Sequence, residues 1–250
     1  MKLLREENKM KKFELTTETK INIFGKKLFR IKALISFGPI SAGEKGGWVE
    51  KEENLSQSGN AWVFGNAEVY DNAWVHNNAC VHNNAWVSGN AEVSGNAYVS
   101  GNAEVSGNAD VSGDAEVSGN ACVRDNACVR DNACVCDNAC VCDNAYIAGN
   151  AYVHNNAEVS GNAYVHNNAE VSGNACVCDN ADYTTIHGFG TQFRTTTFFR
   201  CKDKEIRVSC GCFYGTISEF REQVKRTRKG KIAEEYLMIA DLMEKHFKEE

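Results

Sequence analysis

The chain has no apolar stretch of twenty residues, so no segment reads as a membrane-spanning helix. Met1 to Phe13 lacks the apolar core of a secretory signal. Between residues 55 and 182 basic side chains are almost absent: Arg124 and Arg130 stand against 15 acidic residues, a net charge of −13 that the whole-chain value of −6 conceals. The missing basic charge sits at the ends, +4 over residues 1–54 and +3 over residues 183–250. Without a secretory signal, the 12 cysteines read as thiols of a reducing compartment rather than as a disulfide framework. A cytoplasmic protein is therefore expected.

What fills the middle is a repeat with no insertion or deletion. Twenty consecutive six-residue units, G/N/D-N-A-x-V-x, run from Gly59 to Cys178. Alanine recurs at every sixth position from Ala61 to Ala181, and valine follows two residues later from Val63 to Val177, with Ile147 the one substitute. A tandem period this short means a solenoid in which each unit packs on its neighbours. Each hexad reads as a short strand, A-x-V-x, and a two-residue corner. Alternate side chains of a strand face opposite ways, so Ala and Val point inward and the two x positions outward. The corners carry Gly, Asn and Asp, the residues that tolerate positive φ. Stacked Asn side chains at the second corner position can bond to one another along the axis, and Asp114 is the one departure in that column.

These units resemble the hexapeptide-repeat left-handed β-helix, the fold of the bacterial transferase hexapeptide superfamily. More closely, they resemble the YdcK-like bacterial and prophage proteins that carry tandem GNAxV repeats. The resemblance is strong from Gly59 to Ala181. It extends to a lead-in, Gly46-Gly47-Trp48-Val49-Glu50 and Asn54-Leu55-Ser56-Gln57, and to the C-terminal segment from Asp182. It implies a mainly β fold, a left-handed parallel β-helix of about seven triangular eighteen-residue coils, about 30 Å long at about 4.8 Å per coil. It also implies a phage or prophage origin.

The expected organisation is a polar extension over residues 1–12, an N-terminal β cap and lead-in coil over 13–58, the β-helix over 59–182 and a C-terminal α/β cap over 183–250. A solenoid needs its open end covered against edge pairing. Phe13-Glu14-Leu15, Ile21-Asn22-Ile23-Phe24 and Leu28-Phe29-Arg30-Ile31 read as short strands with a turn at Phe24–Lys27, expected to pack over the outward Trp62, Phe64, Tyr70 and Trp74. At the other end, Thr195 to Cys201 and Glu205 to Phe213 read as a hairpin. Its register puts Ile206, Val208, Cys210 and Cys212 on one face, opposite Phe199 and Cys201. Thr216 and Glu219 have capping-box spacing for a helix with Ile217, Phe220 and Val224 on its apolar face, which Gly230 should break. A second helix follows, with Ile232, Tyr236, Ile239, Met243 and Phe247 on one stripe. This ββαα unit is the least repetitive part of the chain and the first place to expect specific contacts.

Many proteins with this kind of helix are acyltransferases, trimers that use acetyl-CoA bound between neighbouring prisms. Under that reading the candidate bases are His154 and His166, which share the outward hexad position of His76 and His82. No loop leaves the coil to bring them a carboxylate, so they read first as solvent-facing strand residues. Cys134, Cys136, Cys140 and Cys142 form C-x-C-x3-C-x-C, and in an eighteen-residue coil Cys122 lies beneath Cys140. Zinc would need four of these thiolates to converge tetrahedrally at about 2.3 Å, whereas the two pairs fall on different faces. Outward positions where Cys, Arg, His and Tyr interchange read more simply as drift. Cys201, Cys210 and Cys212 read as small apolar core residues.

The acidic rod approaches the charge density of duplex DNA, but its carboxylates follow no phosphate track, and solubility is the simpler reading. The basic run Lys225, Arg226, Arg228, Lys229 and Lys231 falls at a helix end, where positive charge is favoured in any case, and offers a surface for an acidic partner. Tyr98, Tyr146, Tyr152 and Tyr164 are outward aromatics suited to a binding surface, with Tyr146 and Tyr164 stacked one coil apart. The expected function is a non-enzymatic scaffold or binding protein without a cofactor, engaging a protein partner rather than membrane or nucleic acid. The alternatives are an acetyl-CoA-dependent acyltransferase, which implies a homotrimer, and a phage inhibitor of a host protein or signalling molecule.

Overall fold

The computed structural model describes residues 10–248. The first nine residues of the expected polar extension therefore lie outside the described residues. Of its remainder, Lys12 is buried, and its Nζ donates to the Ala61 carbonyl at 2.9 Å and lies over the Phe37 ring.

The twenty hexads each give one short strand, and strands three hexads apart pair in parallel, Tyr98 with Glu116 and Val99 with Val117 for example. This makes the parallel β-helix of about seven coils that the resemblance implies, with three faces. The first face is built from the strands of Glu68, Trp86, Glu104, Cys122, Cys140, Glu158 and Cys176, the second from those of Trp62, Cys80, Tyr98, Glu116, Cys134, Tyr152 and Glu170. The third holds Trp74, Glu92, Asp110, Cys128, Tyr146 and Tyr164. The repeating Ala and Val side chains fill the interior and are at most 1% exposed.

Every first corner residue from Gly59 to Gly173 has positive φ, including the non-glycine residues Asp125 (63°) and Asn155 (61°). That is the region that Gly, Asn and Asp occupy most readily. The second corner column forms ladders along the rod, such as Asn72 to Asn90 to Asn108 to Asn126, at 3.1, 3.0 and 2.9 Å. Asp residues of the first column accept the amide of the next coil, Asp137 from Asn155 and Asp143 from Gly161, both at 3.0 Å.

The N-terminal cap is an antiparallel pair, Phe13–Ile21 with Lys27–Ala33, whose second strand pairs with Lys45–Val49 and so extends the first face. The first strand runs on through Thr16–Lys20 as a single strand, with a register irregularity between Leu15 and Thr19, instead of ending at Leu15 as expected. Ile23 and Phe24 lie in the turn rather than in a strand. Gly46 is required in Lys45–Val49, since a Cβ there would lie 2.6 Å from the Trp62 ring. Trp62 and Tyr70 are buried beneath the cap, with Phe13 and Phe37 edge-on to Trp62. Phe64, on the second face, is only half-buried and stacks on His82 at 3.9 Å, and Trp74, which opens the third face, is 43% exposed.

The C-terminal cap is larger than the hairpin read from the sequence. It is a four-stranded antiparallel meander, Tyr183–Phe189, Arg194–Arg200, Ile206–Cys210 and Phe213–Thr216, followed by α1 (Ile217–Thr227) and α2 (Gly230–His246). Strand Arg194–Arg200 serves two cores: Phe199 closes the end of the solenoid, and Phe198, on its other face, packs with Val208 and the helices. Val208 therefore opposes Phe198 rather than Phe199, and Cys212 is exposed in the turn instead of sharing a core face. Cys201 is buried as expected and Cys210 half-buried. The Thr216 capping box forms, with Ile217, Phe220 and Val224 buried on α1. The break falls at Arg228–Lys229, and Gly230 opens α2, which buries Tyr236, Ile239 and Met243, with Phe247 buried at its C-cap. Among the described residues no helix is long and apolar enough to cross a membrane.

Candidate functional site

The cap is fastened to the last coils by backbone and side chain together. Ala175 bridges Cys201, the Lys202 amide donates to the Asn174 carbonyl at 3.0 Å, and the Glu170 amide donates to Thr197 Oγ1 at 3.0 Å. Where the turn after Ile206–Cys210 meets the second face, the two units enclose a groove of about 200 Å³. It is lined by His154, Glu170 and Ser172 of the rod and by Ser209, Cys212 and Tyr214 of the cap.

A coil of eighteen residues sets the outward residue after each valine beside the outward residue before the valine of the next coil, sixteen positions on. His154 Nε2 thereby meets Glu170 Oε1 at 3.2 Å, and its Nδ1 faces Asp137 Oδ2 at 4.0 Å. The ring stacks on Tyr152 at 4.1 Å and only 15% of its side chain is exposed. The hydrogen bond from His154 holds the Glu170 carboxyl below the usual carboxylate range, helped by a second from Ser209. Tyr214 reaches across from the cap because the neighbouring corner is Gly173, where a Cβ would lie 1.9 Å from the tyrosine hydroxyl. Tyr152 and Tyr214 remain 39% and 46% exposed at the rim. Burial pushes the Tyr214 phenol up.

The expectation that no carboxylate orients the outward histidines is thus corrected for His154, and for His76, whose Nε2 lies 2.7 Å from Glu92. The neighbour comes from the stacking of coils, not from a loop. His166 lies against the Tyr164 ring at 4.7 Å, on the third face and away from the groove. Tyr146 and Tyr164 are on that same face, edge-on at 4.9 Å. Of the four tyrosines singled out from the sequence, only Tyr152 meets His154.

Lys225 and Arg226 lie in the last turn of α1, Arg228 caps it with its amide donating to the Val224 carbonyl at 2.8 Å, and Lys229 is the N-cap of α2. All four are exposed. Cys134 and Cys140 fall on different faces, as their six-residue offset requires. Cys136 Sγ points to the Tyr152 hydroxyl at 3.3 Å. Among the described residues, the one set of metal-ligand atoms lying within 4.8 Å of one another is Asp125, Cys142 and Asp143.

Glu170 and Asp137 were readable in principle from the sixteen-residue offset. Ser209, Cys212 and Tyr214 were not, because their place depends on how the cap docks. No family model matches the chain, and no curated protein does either.

Proposed function

We propose that this protein is a non-enzymatic scaffold of the bacterial cytoplasm, phage- or prophage-encoded like the GNAxV proteins it resembles, that grips a protein partner at the junction groove. The observation that carries this reading is the continuity of one surface across two units: His154, with Tyr152 stacked on it, and Glu170 from the rod line one groove with Cys212 and Tyr214 from the cap. Exposed tyrosines around a half-buried histidine hydrogen-bonded to Glu170 make an amphipathic contact patch with little side-chain entropy left to lose. The rod then serves as a spacer that fixes the distance between this patch and the N-terminal cap.

A photo-crosslinking amino acid at position 152 or 214 should capture one defined partner from the bacterial host. The same group at Tyr98, three coils away on the same face, should capture none. Equal capture at all three positions would remove the groove from the account.

The second reading, acetyl-CoA-dependent acyl transfer, draws on the His154–Glu170 pair. It is the weaker one, because one ring nitrogen is bonded to Glu170 and the other is turned toward Asp137, which leaves neither directed at a substrate proton. Titration of the protein with acetyl-CoA should give a flat calorimetric trace. Saturable binding that His154→Ala abolishes would put acyl transfer first.

A further inference from the structure

The first face carries a second chemical cluster, away from the junction groove. Cys122 and Cys140 are register partners on adjacent parallel strands. Two residues further along the same strands Arg124 lies beneath Cys142, its amide bonded to the Val141 carbonyl at 3.0 Å. Four outward side chains thus form a square, with Cys122 below Cys140 and Arg124 below Cys142. Arg124 is one of only two basic residues between positions 55 and 182, and it stands beside three thiols.

The square is asymmetric. Hydrogen bonding from Cys122, with the nearby Arg124 guanidinium and a further bond from Cys142, brings the Cys140 thiol down to about 6. Burial, with the Cys140 and Asp143 charges beside it, pushes Cys142 up to about 11, and its Sγ points to the Asp143 carboxylate at 4.0 Å. Cys122 is raised by the hydrogen bond it gives to Cys140 and by burial. At neutral pH one thiolate therefore sits between two protonated thiols, and it is only partly buried.

We propose that Cys140 and Cys122 form a reversible thiol–disulfide site that reacts with low-molecular-weight disulfides, Cys140 attacking and Cys122 resolving. Adjacent parallel strands hold register partners about 4.8 Å apart, inside the Cα separation that a disulfide spans. The Cys140 thiolate attacks one sulfur of the small disulfide, forming a mixed disulfide and expelling the other half as a thiolate. Cys122 loses its proton and attacks Cys140 Sγ, expelling the second half. The protein gives up two electrons and the Cys122 proton; the two expelled thiolates take up that proton and one more from water and leave as two thiols. Among the described strands this is the only pair of cysteines in register: Cys134 faces Glu116 and Tyr152, and Cys176 faces Glu158. The Cys176 and Cys178 sulfurs are 3.5 Å apart, but they belong to one strand, where alternate residues are about 6.6 Å apart, and burial pushes Cys176 up to about 11.

The test is peptide mass mapping of the reduced full-length protein. With limiting iodoacetamide at neutral pH, Cys140 should be alkylated first, with a pH midpoint below the ordinary thiol range that Arg124→Gln moves upward. In a separate, unalkylated sample, oxidised glutathione should link the Cys122 and Cys140 peptides. Cys122→Ser should stop at a glutathione adduct on Cys140, Cys140→Ser should give neither product, and Cys134→Ser should behave as the parent. Equal alkylation of Cys134 or Cys176, or a Cys176–Cys178 bridge while Cys122 and Cys140 stay reduced, would overturn the proposal.

Discussion

Single residues decide how well one coil reads the next. In the second corner column each Asn donates to the Asn one coil on and accepts from the one before. Asn96 donates to Asp114 Oδ1 at 2.8 Å, but an ionised carboxylate has no hydrogen to pass to Asn132, so this ladder is interrupted while its continuation, Asn132 to Asn150, re-forms at 3.2 Å. Asp114→Asn should join the two halves and raise stability by about 0.5–1 kcal/mol, measured by urea unfolding; a loss of stability would contradict the ladder's role. Lys12 gives a pH signature with a definite sign. Burial lowers its ammonium from 10.5 to about 8, so a desolvation penalty is fully present below about 8. Between about 8 and 10.5 the unfolded chain still holds the proton that the folded chain has released, and stability rises with pH. In Lys12→Met that rise should disappear from melting curves taken across the same window. The corner columns and the inward Ala and Val were legible as sequence because each position repeats twenty times. Lys12 was not, since a lysine next to a polar start gives no sign that Ala61 offers its carbonyl.

At the scale of elements, what repeats was legible and what docks was not. The Thr216–Glu219 cap follows from spacing alone, while the parallel pairing and the Cys122–Cys140 and Tyr146–Tyr164 stacking follow from the eighteen-residue coil that the resemblance implies. Tyr183–Phe189 and Phe213–Thr216 escaped notice because they are the two edges of the meander, with one neighbour each and mostly half-exposed side chains. The same cause hid the continuity of Phe13–Ile21, whose Thr-Thr-Glu-Thr-Lys segment is a solvated edge and shows little apolar alternation. The helix start can be tested directly. Thr216 Oγ1 accepts the Glu219 amide at 3.2 Å, and Thr216→Ala should destabilise the cap by about 1 kcal/mol. Hydrogen exchange should quicken in the first turn of α1 while amides of the coils keep their protection; unchanged exchange in α1 would mean that the cap bond is idle.

The whole molecule is a rod whose interior is one continuous stack, closed by Trp62, Phe13 and Ile31 at one end and by Phe199, Cys201 and Tyr183 at the other. Because each coil contacts only its neighbours, length is an independent variable: a coil can be removed without altering either cap. The candidate groove lies at the C-terminal closure and the Cys122–Cys140 pair two coils nearer the middle, so both should survive a change of length elsewhere. Removing Gly101–Ser118 deletes one full turn, joins Ser100 to Gly119 in register and takes Asp114 with it. The decisive measurement is the distance between spin labels on non-cysteine attachment points at the exposed positions 27 and 225, compared between the parent and this deletion. The account predicts a folded protein whose caps approach by about 5 Å along the rod axis, one strand spacing. An unfolded deletion, or an unchanged distance, would contradict a rod of interchangeable coils holding two caps apart.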